Sequence, residues 1–164
     1  TMTQVHLHLL ITHLPVFGSI IGALVLGYGL WTKSNQTKHA SYFIFIISAI
    51  GAGIAYLTGE GAEETVEKIQ GVSENAIGLH EDAAMYALIS LIALGVMSVI
   101  ALIAGRFKST LIKPTSIIVL FLSIVSFGLV ARTGYLGGQI RHTEIATGAV
   151  QNNGGGESGE KDDD

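Results

Sequence analysis

Four long apolar segments separated by short polar ones constrain the fold of this chain more than any other feature. The segments cover about residues 14–31, 40–57, 79–104 and 114–136. An α-helix rises by about 1.5 Å per residue, so about 18 apolar residues suffice to cross a hydrocarbon layer of roughly 30 Å. Only 13% of the 164 residues are charged, against about a quarter in soluble domains. The sequence therefore predicts an all-α integral membrane protein, a four-helix up-and-down bundle.

The apolar segments belong to one predicted transmembrane domain, residues 1–145. The first segment has no basic start and is too long for a typical signal core, so we expect it to persist as a helix. Pro15 is expected to begin or kink that helix, and the residues before it form either an interfacial turn or a continuation beyond the kink. Residues 146–164 are acidic and rich in glycine, which predicts a disordered tail.

The charges predict how the bundle is oriented in its membrane. The two short connections, 32–39 and 105–113, hold five of the nine basic residues and none of the 13 acidic ones. Basic connections usually face the cytoplasm, so both termini and the segment 58–78 are expected on the outer side. The net charge of −4 gives no indication of a nucleic-acid partner.

Polar residues are concentrated at the outer ends of the predicted helices. His13 begins the first helix, Glu63 follows the second, His80 begins the third, and His142 follows the fourth. Because successive helices alternate in direction, these side chains are expected near one membrane face. Arg132 lies at least about one turn inside the fourth helix, where an arginine needs an anionic partner. We expect that partner to be an outer-end glutamate or a bound anionic group.

A weak Y-L-x-G repeat, found near the end of the second and fourth helices, indicates that the two halves are structural duplicates. In its register Glu63 corresponds to His142. His13 then corresponds to His80, because each is the histidine that begins the preceding helix. Such a pseudo-twofold relation places equivalent side chains on either side of a central axis.

The first kind of site that suits these residues is a b-type haem site in the bundle core. Two imidazoles from facing helices would ligate the iron, and Arg132 and Arg141 would neutralise the propionates. The chain has no cysteine, so attachment would be non-covalent. The repeat favours His13 and His80 as the iron ligands, with His142 as the reserve. His6 and His8, at the start of the chain, are interpreted as interfacial side chains.

The second kind is a non-haem site for iron, copper or zinc. Its ligands would be the outer-end histidines and glutamates: His13, His80, His142, Glu63, Glu81 and Glu144. Bundle sites of this kind usually carry Glu-x-x-His on one helix, and that motif is absent from the chain. A structural subunit that docks a partner through its polar outer face is a further alternative.

Three motifs of the chain resemble those of a known family. They are H-L-L-I-T-H-L-P at 8–15, L-H-E-D-A-A at 79–84 and G-G-Q-I-R-H-T-E at 137–144. They resemble a bacterial family of small four-helix predicted membrane proteins of unknown function, some of which are found near or fused to respiratory c-type cytochrome modules. The resemblance aligns the histidines of each motif with histidines of the family. It implies a redox or haem role in the bacterial inner membrane, with other membrane or periplasmic redox subunits as partners.

The leading prediction is therefore a lipid-embedded b-type haem subunit that passes electrons within a larger respiratory assembly. The short loops leave no room for a soluble catalytic domain, so an accessory electron-transfer role is predicted rather than a stand-alone enzyme. The sequence leaves quinone binding open.

Overall fold

The computed structural model describes residues 4–66 and 74–141, which are helical apart from short connections. The helices are α1 (Gln4–Ile11), α2 (His13–Trp31), α3 (Asn35–Val66), α4 (Glu74–Phe107) and α5 (Ile112–Arg141). A 3₁₀ turn, Ser109–Leu111, lies between α4 and α5. The predicted all-α class is confirmed for this part of the chain. The predicted tail, 146–164, lies outside the described residues.

Four helical stretches within the described residues are long and apolar enough to cross a membrane: Val5–Trp31, Asn35–Glu64, Glu74–Phe107 and Ser109–Ile140. At most 39% of the apolar window of any stretch is buried within the protein. Water would solvate so much exposed apolar surface poorly, whereas lipid tails match it. These helices are therefore compatible with a multi-pass protein in contact with the bilayer.

The helices extend beyond the limits that hydropathy predicts. α3 continues to Val66, past the predicted end near residue 57, and α4 begins at Glu74 instead of residue 79. Hydropathy detects only the segment that suits hydrocarbon, whereas a helix propagates wherever each added residue gains a backbone hydrogen bond. Polar turns such as the one around Glu60 are therefore helical without being apolar.

Each long helix packs beside the next, α2 on α3, α3 on α4 and α4 on α5, and α5 also packs against α2. The contacts of α2 with α3 show an antiparallel pair, because Leu14 meets Gly51 while Gly22 meets Phe45. A side chain at Gly22 would overlap the Phe45 ring. The glycine therefore lets the two helix backbones approach closely.

The core combines a few large side chains with many small ones. Leu26, Tyr42, Phe45, Leu91 and Leu94 are fully buried. Small buried residues surround them, among them Ser19, Ser41, Ser48, Ser98, Ser116, Ser123 and Ser126. Most of these hydroxyls donate to a carbonyl three or four residues earlier in their own helix, so burial leaves them satisfied.

α1 and α2 form one nearly continuous helical run that is interrupted at Thr12. Thr12 keeps helical angles, φ −61° and ψ −23°, and its N–H donates to the carbonyl oxygen of His8 at 3.0 Å. Pro15 has no N–H to donate one turn back, which interrupts the regular hydrogen bonding. The residues before Pro15 are thus a continuation of the helix, one of the two predicted alternatives. This continuation packs on α3 and places His8 beside it.

Candidate histidine site

His80 lies near the start of α4 and contacts α5. Its Nδ1 is 3.0 Å from the carbonyl oxygen of Thr133. Its ring lies against Gly137, where an added Cβ would come within 3.0 Å of Cε1 and 3.1 Å of Nδ1. Few real Cβ atoms come so close to a neighbour, so the glycine makes room for the imidazole.

His8 makes a matching pair of contacts between α1 and α3. Its Nδ1 is 2.9 Å from the carbonyl oxygen of Ala55 and 3.3 Å from the hydroxyl of Thr58. Its ring lies near Gly59, where an added Cβ would be 3.6 Å from Cε1. In both sites the glycine lies about one helical turn after the residue whose carbonyl binds Nδ1. Two imidazoles are thus held in the same manner on different helix pairs.

Both rings lie at the same end of the bundle, because α3 ends at Val66 and α4 begins at Glu74. The structure therefore places one histidine from α1 and one from α4 at this end of the bundle, while α3 and α5 supply the carbonyl partners.

The hydrogen bonds determine the tautomer of both rings. A carbonyl oxygen only accepts, so Nδ1 of His8 and Nδ1 of His80 must each carry a proton. In a neutral imidazole the lone pair then resides on Nε2, an atom through which histidine ligates metals. A hydrogen bond to the other ring nitrogen is the usual way in which proteins orient a ligating histidine. His8 and His80 thus have the chemistry of a pair of nitrogen ligands.

His13, the sequence-predicted partner of His80, has different surroundings. It is exposed at the start of α2, with Nδ1 2.7 Å from the carbonyl oxygen of Leu9. Its ring stacks on Phe17, with centroids 6.0 Å apart and planes at 18°. The histidine whose ring is bound in the same manner as that of His80 is His8, for which the sequence predicts an interfacial position. His8 and His13 are five residues apart, and at about 100° per residue their side chains point about 140° apart around the helix. This spacing, visible in the sequence, indicates that only one of the two faces a given neighbouring helix.

The other predicted site residues are spread over the ends of three helices. Arg132 is exposed on α5, and Arg141 is the last residue of that helix. Glu63 is half-buried near the end of α3, and Glu81 is exposed beside His80. His142 and Glu144 lie outside the described residues. Within residues 4–66 and 74–141, no three His, Asp or Glu side chains form a group that could hold a metal ion. The predicted non-haem ligand set therefore gains no support from this part of the chain.

Comparison of the chain with family models, curated proteins and solved structures found no match. The family resemblance carried by the three histidine-containing motifs stays a prediction. The geometry of His8 and His80 is accordingly the main observation that bears on function.

Proposed function

We propose that this protein is a b-type haem-binding membrane subunit for electron transfer, acting as an accessory part of a respiratory complex. The observation that supports the proposal is that His8 and His80, at the same end of the bundle, are oriented by the same kind of hydrogen bond. Each ring donates from Nδ1 to a backbone carbonyl, which leaves the lone pair of Nε2 for an iron ion. A bound haem would supply one-electron redox chemistry.

The number of imidazoles favours haem over a bare metal ion. A porphyrin provides four nitrogen ligands, so haem iron needs at most two from the protein. Bare zinc, iron or copper in proteins usually takes three or more protein ligands. The described residues offer no group of three. Because the whole chain lacks cysteine, the haem would be held without thioether bonds, as haem b is.

The backbone and the glycines have separate roles in the proposed site. The carbonyls of Ala55 and Thr133 hold the Nδ1 protons, which keeps each ring in one orientation and raises the basicity of its Nε2. Gly59 and Gly137 leave the space that the two rings occupy. The chain therefore positions both nitrogens through backbone groups, which no side-chain mutation removes.

The same end of the bundle carries the arginines of α5. We assign Arg132 and Arg141 to the propionates, since these anions need cations near the water boundary. Five basic residues lie at the opposite ends of the helices, in or next to the connections 32–39 and 105–113. The positive-inside rule then directs the histidine end, together with both termini, to the periplasm of a bacterial inner membrane. Other membrane or periplasmic redox subunits would exchange electrons with the haem there.

The test is the visible spectrum of the purified protein with its ligand histidines replaced one at a time. Two imidazole ligands give a six-coordinate low-spin haem spectrum that changes on reduction. We expect His8→Ala and His80→Ala each to abolish it, because each removes one iron ligand. His13→Ala should keep the spectrum. His39→Ala is the matched control, because His39 lies at the other end of α3 from Ala55 and Thr58.

Two results would contradict the assignment in different ways. A colourless protein that takes up no haem would overturn the haem function and leave a structural docking subunit as the alternative. Loss of the low-spin spectrum in His13→Ala or His142→Ala, with His8→Ala unchanged, would keep the haem. The second iron ligand beside His80 would then be His13 or His142 and not His8.

A further inference from the structure

A groove runs along the outer surface of the bundle between α2 and α3. It has a volume of about 470 Å³. Its walls are apolar side chains of both helices, among them Leu14, Phe17, Ile21 and Ile47. These four side chains are exposed, so a molecule dissolved in the bilayer reaches the groove directly.

Among the residues that the structure describes, His13 is the only titratable one that lines this groove. Its Nδ1 donates to the carbonyl of Leu9 at 2.7 Å, so the neutral ring has its lone pair at Nε2. The other polar lining residue, Ser48, donates its hydroxyl to the carbonyl of Ile44. Nε2 of the neutral His13 ring is therefore the stronger acceptor of the two polar side chains that line the groove. The natural ligand of the groove has a hydroxyl donor on an otherwise apolar body.

The aromatic residues of the groove narrow the class of ligand further. The rings of His13 and Phe17 are nearly parallel, at 18°, with centroids 6.0 Å apart, and both residues line the groove. An aromatic ring of the ligand would extend this stack in an offset manner. From His13 to Ile21 the groove follows about two turns of α2, roughly 12 Å, which is suitable for a hydrocarbon tail.

We propose that this groove binds a hydroquinone with an apolar tail. One phenolic hydroxyl donates to Nε2 of His13, the ring lies against Phe17, and the tail extends along α2 toward Ile21. A lipid phosphate only accepts hydrogen bonds and would require a protonated ring, whereas the phenol bonds to the neutral one. The choice of a redox-active ligand rests on the proposed electron-transfer function.

The position of the groove fits that function. His13 follows His8 by five residues on the same helical run, about 7.5 Å along the axis. A hydroquinone at His13 would thus lie next to the helix that carries a proposed iron ligand, outside the bundle, while the haem would lie inside it. In this proposal His13 binds the hydroquinone, which enters from the lipid, and does not ligate the haem iron.

The test is calorimetric titration of the purified protein, held in phosphatidylcholine nanodiscs, with a decyl-substituted benzohydroquinone. Empty nanodiscs provide the blank for partition of the probe into lipid. We expect saturable binding of one hydroquinone per chain. His13→Ala should weaken binding about tenfold by removing the acceptor, and Ile21→Trp should weaken it by filling the groove. Ile124→Trp is the control, because Ile124 is an exposed isoleucine on α5 away from the groove, and this variant should bind as the unmodified chain does.

The haem spectrum of the same samples separates this inference from the haem proposal. A normal spectrum without saturable hydroquinone binding overturns the groove assignment alone. Saturable binding that depends on His13 in a protein without haem supports the groove and contradicts the haem function. Equal affinities in His13→Ala, Ile21→Trp and the unmodified chain overturn the groove assignment whatever the spectrum.

Discussion

The imidazole of His80 lies against Gly137, and a Cβ at that position would be only 3.0 Å from its Cε1. His8 has the same relation to Gly59, but there the corresponding distance is 3.6 Å, an ordinary van der Waals contact. The two imidazole sites are therefore alike in construction and different in tightness. Because the contact at Gly137 is tighter, an alanine there should destabilise the protein more than an alanine at Gly59.

Gly137→Ala should lower the thermal midpoint of unfolding relative to Gly59→Ala. Alanine favours a helix by up to about 1 kcal/mol over glycine, so Gly59→Ala should be neutral or stabilising. At Gly137 the same gain is offset because the ring of His80 must move and its bond to Thr133 weakens. Circular dichroism of both variants in detergent measures the difference. Equal midpoints would contradict the close contact between His80 and Gly137.

Gly22→Ala should destabilise the bundle by about 1–3 kcal/mol, the usual cost of overpacking a core. An added methyl group would overlap the ring of Phe45, which is fully buried and cannot move into solvent. Gly27→Ala is the matched control on the same helix, since no atom lies within 4 Å of the added Cβ. Reversible unfolding in mixed micelles gives both free energies. A smaller cost at position 22 than at 27 would show that α2 and α3 are not packed in this way.

Tyr42 and Ser116 should show a favourable coupling of about 0.5–1.5 kcal/mol in a double-mutant cycle. Ser116 donates its hydroxyl to the carbonyl of Ile112, so Tyr42 must be the donor in the 2.8 Å bond between their side chains. The cycle compares Tyr42→Phe, Ser116→Ala and the double variant by free energy of unfolding. Pairing Tyr42→Phe with Ser98→Ala is the control, because the Ser98 hydroxyl bonds to its own helix. No coupling in the first cycle would rule out the bond.

Single cysteines should reveal the orientation that the basic connections predict. The chain has no cysteine, so each introduced thiol is the only one present. Glu64→Cys, exposed near the end of α3, should react with a membrane-impermeant maleimide added to intact spheroplasts. Thr110→Cys, exposed in the 3₁₀ turn, should react only after the membrane is permeabilised. The opposite labelling pattern would show that the bundle has the inverse orientation, with the histidine end in the cytoplasm.

The sequence alone was sufficient for the helical class because hydropathy is a sum over neighbouring residues. The predicted segment 79–104 lies wholly within α4, Glu74–Phe107. The other three predicted segments also lie wholly within helices of the structure. The helix ends were less accessible, because turns beyond the hydrocarbon carry no hydropathy signal. The turn of α3 around Glu60 is helical although it carries charged residues.

The sequence by itself determined that histidines are concentrated at one end of the chain's helices, since their positions along each segment are local properties. Only the tertiary structure decided which of them contacts a neighbouring helix. His8 and His13 are about 140° apart around the helical run, so the rotation of α1 on α3 places His8 rather than His13 beside Ala55. That rotation depends on the junction at Thr12 and on packing against residues 47 positions away, and no pattern within the motif encodes it.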